Sequence, residues 1–351
     1  MRKGAALALI VSVASAFAQT SPKPGLTAVP ALSAAYNAIF DARFEEVPAL
    51  IARACDAEPA EMAAPPEACE LLEAVAIWWR IQLDPHDRTR DARFIAQVDS
   101  AIDAAAAWTL REPNRAEAWF YLGCAYGAKA QWRVLRGERL AAARDGKRIK
   151  ESLERALALD PELTDAYFGL GLYHYYADVA PTVLKMLRWL LLLPGGDRDA
   201  GLEEMLRARR SGQLIRSEAD YQLHALYLWY EKQPHRAVEL LDELAARHPH
   251  NPHFAQAAAE ILDFYIDDTR ASLTRWEAVL ASARRGAVAE PHMTEIAARL
   301  GVASQLHQLS RNDEALEHLD VVIAAAPTAP HGALARAHQI AGAVRAALRA
   351  Q

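Results

Sequence analysis

The chain has 351 residues, of which 52% are hydrophobic and 24% charged, and its formal net charge is -6. That mild acidity argues against a general nucleic-acid binder, which needs a basic face to neutralise phosphates. Strand-like alternation is almost absent, while Ala, Leu, Glu and Arg dominate and Pro or Gly falls at helix-hairpin intervals, so the pattern predicts an all-α chain.

At the N-terminus, Arg2 and Lys3 precede an apolar run from Ala5 to Val13, and Ala16-Phe17-Ala18 has the small-x-small form that signal peptidase cuts. Residues 1–18 therefore read as an export signal, 19–30 as a flexible linker and 31–351 as the folded array. The apolar run is too short to span a bilayer, no cysteine at the cut could take a lipid, and no later stretch is long and apolar enough to anchor the chain. Losing Arg2 and Lys3 takes the basic side chains from 39 to 37 against 45 acidic ones, a charge of -8. The expected product is exported, periplasmic or secreted. Cys55 and Cys69 flank the loop containing Pro59, Pro65 and Pro66, and in an oxidising compartment they are expected to pair, the alternative being two unpaired core thiols. Cys124 reads as a small buried filler.

Weak helical units occupy Ala31–Cys55 and Glu67–Leu110, the second ending at Pro113. The clearest pattern follows: Trp119-x2-Leu122-Gly123-x2-Tyr126, softened later to Tyr167-x2-Leu170-Gly171-x2-His174. Its large residues share one helical face, and its glycines leave room for a second helix against the backbone. Tyr221, Ala225 and Leu228, then Ala237, Leu241 and Leu244, mark another pair of helices that Pro249 closes; Pro161 and Pro327 stand in the same place after theirs. These residues resemble the tetratricopeptide (TPR) repeat superfamily, and of its members an exported bacterial one. The resemblance covers most of the chain and implies a right-handed α-solenoid of helical hairpins, clearest at 116–161, 164–212, 218–249 and 294–327. Pro252–Arg284 forms a weaker unit, and Ala329–Ala350 a polar-faced closing helix.

Two units are oversized, with insertions at about 128–148 and 177–196. The first projects a tip rich in Arg133, Arg136, Arg139 and Arg144, which reads either as a solvated helix end or as a contact for anionic headgroups or an acidic partner. The second contains residues 182–193, where Lys185 and Arg188 share one side of a leucine-rich helix. That helix either folds back on the array or lies in a membrane interface. The tract Leu-Leu-Leu-Leu-Pro-Gly-Gly-Asp-Arg-Asp-Ala-Gly-Leu and its flanks also resemble, more distantly, eukaryotic TPR proteins of lipid droplets and the mitochondrial outer membrane, which implies a lipid association.

The TPR resemblance further implies that the first helix of each hairpin lines a groove. Carried onto this chain, the groove positions are Glu117, Phe120 and Cys124, then Asp165, Phe168, Leu172, Tyr175 and Tyr176, then Gln222, Leu226, Trp229 and Tyr230. An aromatic lining with few charges suits a peptide segment with apolar anchors, or an acyl chain. The competing reading is that the leucine-rich insert fills the groove. His248, His250 and His253 sit in an inter-repeat turn without a nearby cysteine, a poor metal set, so no metal or cofactor is expected. No phosphate-loop, Gly-x-Ser-x-Gly or His-Glu-x-x-His pattern occurs, and no spacing pairs two carboxylates as acid and base. The expected function is a non-catalytic scaffold for a protein or peptide partner, the alternative a peripheral membrane-surface binder using the basic tip and residues 182–193.

Overall fold

A computed structural model describes residues 25–179 and 195–350. Among them run fifteen α-helices and no strand: α1 (Val29–Phe40), α2 (Val47–Cys55), α3 (Pro66–Leu83), α4 (Asp91–Arg111), α5 (Ala116–Leu135), α6 (Arg139–Leu159), α7 (Ala166–Val179), α8 (Arg198–Ser211), α9 (Arg216–Trp229), α10 (Pro234–Arg247), α11 (Pro252–Phe264), α12 (Thr269–Arg284), α13 (Pro291–Gln308), α14 (Asn312–Ala325) and α15 (Ala333–Ala350). Each helix packs on the next in sequence. Odd-numbered helices also touch the odd-numbered neighbour in several units, α1 on α3, α3 on α5, α5 on α7 and α13 on α15. The chain is thus an α-solenoid of TPR-like hairpins, with the odd-numbered helices as first helices.

Local signals explain where helices start and turn. Prolines occupy the first turn of α2, α3, α10, α11 and α13, where the missing N–H costs nothing. Asp197, Asn251 and Asp268 accept from backbone N–H groups two or three residues on. Within the hairpin turns, Ala42, Lys232, Asp267 and Ser310 adopt the left-handed conformation (φ 55°, 57°, 62° and 61°), as does Gly137. The following N–H bonds back to Ala38, Tyr227, Leu262, Leu306 or Arg133, so the same helix-ending motif recurs in these five turns with glycine in one of them; Gly286 repeats it at the end of α12.

Close approach fixes the central hairpins. A Cβ on Gly171 would lie 2.5 Å from the Gly201 carbonyl oxygen, and one on Gly201 would lie 2.6 Å from that of Gly171. Helices α7 and α8 therefore touch backbone to backbone. At Gly123 the obstacle is a side chain, Leu153 of α6. Cys55 and Cys69 form a disulfide across 14 positions, joining the end of α2 to the first turn of α3. In the chain-entropy model a loop of this size contributes about 3 kcal/mol.

Candidate functional site

First helices far apart in the chain, α1 and α3 with α9 and α11, meet through their aromatic side chains. Trp79 of α3 is fully buried, its ring centroid 5.0 Å from Tyr221 of α9, 5.6 Å from Phe254 of α11 and 4.3 Å from Phe40 of α1. Further along, the Tyr221 hydroxyl donates to Gln82 at 3.3 Å, and the His331 N–H donates to Asp84 at 2.8 Å. The N-terminal unit has curled back into the face that the later first helices present.

Along its length helix α1 bonds residues at the starts of α9 and α11. Just before it, the Gly25 N–H donates to Asp160 at 2.8 Å, and Thr27 donates to Glu117 through its N–H at 2.6 Å and its hydroxyl at 2.8 Å. Glu117, at the start of α5, has no exposed surface and also pairs with Arg115. Tyr36 then hydrogen-bonds Glu218 at the start of α9. Burial raises the Glu218 carboxyl above the usual range, against the pull of Gln222, Gln131 and Tyr36. At the far end Asn251 donates to the Phe40 carbonyl at 2.8 Å and the His250 N–H to Asp41 at 3.0 Å, at the start of α11.

This arrangement sorts the groove positions inferred from the TPR resemblance. Tyr175 and Leu226 have no exposed surface and belong to the core, so as partner contacts both are corrected. Tyr175 donates from its hydroxyl to Glu231, which Arg198 holds with two further hydrogen bonds and keeps below the ordinary carboxylate range. Gln222 is tied to Gln131 and Glu218, and Phe168 and Leu172 are half-buried. Phe120 is buried and Asp165 accepts three backbone N–H bonds, from Gln213, Leu214 and Ile215. Burial pushes the Cys124 thiol far up, which leaves it protonated and unreactive.

Among the described residues, what stays open is the opposite edge, at the C-terminal ends of α7, α9 and α11. There Tyr176, Trp229 and Tyr230 are 37%, 51% and 40% exposed. Tyr176 and Tyr230 meet edge-on at 5.6 Å, and the Trp229 indole N–H donates to the Tyr265 hydroxyl at 3.2 Å. Phe264 and Tyr265, still more exposed, extend the edge. Sequence reasoning missed these two, although adjacent aromatics ending a first helix repeat the Trp229-Tyr230 arrangement.

The basic tip is largely neutralised. Arg136, with a side chain only 7% exposed, chelates Asp91 through two bonds of 2.7 Å and donates to the Pro85 carbonyl, so its reading as an anionic-surface contact is corrected. Arg133 pairs with Asp145 at 2.5 Å and lies near Glu138. Arg139 and Arg144 are exposed and have no ion pair among the described residues. Lys185, Arg188, the rest of residues 182–193 and the export signal lie outside the described residues.

The three histidines of the inter-repeat turn diverge. His248 bonds Ser217, His250 bonds Asp41 and His253 bonds the Tyr221 hydroxyl. Among the described residues no group of three His, Cys, Asp or Glu is placed to hold a metal, and no helix is long and apolar enough to cross a membrane.

No family model matches the sequence, and no curated protein does. Among solved structures, a chain in the crystal structure of the APC/C hetero-tetramer Cut9-Hcn1 is similar at 12% identity and a TM-score of 0.38, over 86% of this chain and 54% of that one. The chain spans about half the length of that neighbour.

Proposed function

We propose that this chain is an exported, non-catalytic scaffold that binds a protein segment along the edge formed by Tyr176, Trp229, Tyr230, Phe264 and Tyr265. The observation that carries the reading is that these rings are exposed, whereas every other aromatic among the described residues is buried or half-buried. Exposed Trp and Tyr held on a rigid frame supply large contact area at little cost in side-chain entropy, the usual basis of interaction hot spots. The Tyr175–Glu231–Arg198 network stiffens the frame beneath Tyr230. The occupant that fits is an extended or helical peptide segment with apolar anchors and no demand for strong charge pairing.

The test places a photoreactive amino acid at Tyr265, or at Arg139 as a control, in cells of the native host. Crosslinking of one defined protein from the Tyr265 site, lost on Trp229→Ala with Tyr230→Ala, supports the scaffold. Equal labelling from both sites, or labelling indifferent to the double substitution, rejects it. Export is checked separately, by fractionation and by N-terminal sequencing of the mature chain, which should begin at Gln19.

A further inference from the structure

We infer that a cleft between the second helices α8 and α10 binds a small zwitterion, a free α-amino acid with an apolar side chain. Both helices pack on α9 and leave about 210 Å3 between them. That is below the roughly 300–1,000 Å3 of sites for drug-sized ligands, so the occupant is a small molecule. None of the lining residues belongs to the aromatic edge, and the site is independent of the partner proposed there.

The cleft is apolar at depth and holds one unused donor. Leu223 and Tyr227 of α9, both buried, line it together with Leu206 of α8 and Leu240 of α10. Tyr227 is only 2% exposed, yet its hydroxyl has no hydrogen-bond partner. A buried hydroxyl left unpaired costs free energy, and a ligand acceptor that reaches it removes that cost. Burial raises the hydroxyl above the ordinary tyrosine range, so it keeps its proton at pH 7 and has it to donate. The Arg236 guanidinium lies over the same ring, 4.2 Å from its centroid. Arg236 is exposed on a long, rotatable stem, so it can turn to admit a carboxylate and then share it with the hydroxyl.

Charges around the cleft leave one of each sign over. Arg209 is taken up by Asp220 and by Glu243, the latter at 2.6 Å. Arg236 and Glu239, three positions apart on α10, have no ion pair among the described residues. Glu239 also has the like charge of Glu243 one helical turn on, which an ammonium group would relieve. A simple anion would gain Arg236 and meet repulsion from Glu239; a simple cation would face the reverse. A ligand with a carboxylate for Arg236 and Tyr227 and an ammonium for Glu239 supplies both missing partners. Its apolar side chain then lies against Leu206, Leu223 and Leu240.

Titration calorimetry of the purified chain with L-leucine tests the site, with isocaproate and isopentylamine as the same skeleton lacking the ammonium or the carboxylate. Leucine should bind with a Kd below about 1 mM, and each analogue at least about tenfold more weakly. Tyr227→Phe removes only the orphan hydroxyl. It should weaken leucine about tenfold while melting no lower than the wild-type chain, a combination that a purely structural tyrosine would not give. Arg236→Ala and Glu239→Gln, both at exposed positions, should weaken leucine by similar factors. Leucine binding weaker than about 1 mM overturns the inference. So does leucine bound no more tightly than either analogue, which would leave a site for a single charge. Leucine affinity unchanged in any of the three variants would put the ligand elsewhere and overturn it too.

Discussion

At the scale of single residues, the glycines of the array do unlike work. Gly171 and Gly201 face each other's backbone, so neither can yield to a methyl group, whereas a Cβ on Gly127, in α5, would meet nothing within 4 Å. Gly171→Ala is expected to lower stability by about 2 kcal/mol or more through overpacking. Gly127→Ala should raise it by roughly 0.5–1 kcal/mol through helix propensity alone. Urea unfolding of the two variants checks the opposite signs. At Gly123 the obstacle is the buried Leu153 side chain, which is wedged between Gly123 and Gly169. The repeat pattern singles out Gly123 and Gly171 and not Gly127; only the helix opposite separates the first two.

At the scale of elements, the tip of α5 and α6 shows how charge along the chain differs from charge in space. Helices α5 and α6 reach 20 and 21 residues against 14 each for α9 and α10. The added turns bring Lys129 to Asp99 and Arg136 to Asp91, both on or at the start of α4. Arg136→Ala leaves Asp91 in a half-closed site and should cost about 3 kcal/mol, in the range for one partner removed from a buried pair. Arg139→Ala and Arg144→Ala should each stay within about 0.5 kcal/mol. Thermal unfolding separates these cases. If the remaining arginines meet anionic membranes, Arg139→Glu with Arg144→Glu abolishes salt-sensitive flotation on acidic vesicles; flotation unchanged by that pair removes the membrane reading. The disulfide belongs to this scale as well. One titratable thiol is expected in the unfolded, unreduced chain and three after reduction, and Cys55→Ser with Cys69→Ser should lower stability by about 3 kcal/mol.

At the scale of the whole molecule, the closure of the N-terminal unit on α9–α11 sets an acid limit. His224, His248 and His253 sit at this junction, and burial lowers each from 6.5 to about 4. They are neutral in the folded chain at pH 7 and acquire a proton more readily when unfolded. A depressed histidine contributes stability that is complete above about pH 6.5 and is lost as pH falls toward 4, at up to roughly 1.4 kcal/mol per pH unit for each group. Glu218 acts in the opposite sense, because burial raises its carboxyl and its protonation favours the folded state at the acid end. The melting temperature should therefore fall between pH 6.5 and 4.5, and His248→Gln with His253→Gln should shrink that fall. An unchanged pH profile in the double variant would remove the junction as its source.

The all-α architecture and its hairpin logic were legible in the sequence, because large residues at helical spacing, small contact residues and closing prolines are local properties that one turn of helix expresses. The bridge between Cys55 and Cys69 was legible for the same reason, their short separation around a proline-rich loop. The edge bearing Trp229 and Tyr230 was partly so, through the register of the first helix, but the loss of Tyr175 and Leu226 to the core was not. Tyr175 is held by Glu231, 56 positions on, and Arg136 is paired with Asp91, 45 positions back. Nothing in the spacing around them records which residues the array brings back. Whether the inner face is open or filled depended on how the hairpins stack, and small rotations add from unit to unit until α1 and α3 meet α9 and α11. Sequence by itself determined the paired helices; the tertiary structure decided their occupancy, since a superhelix closes by a sum over all its interfaces and no single repeat contains that sum.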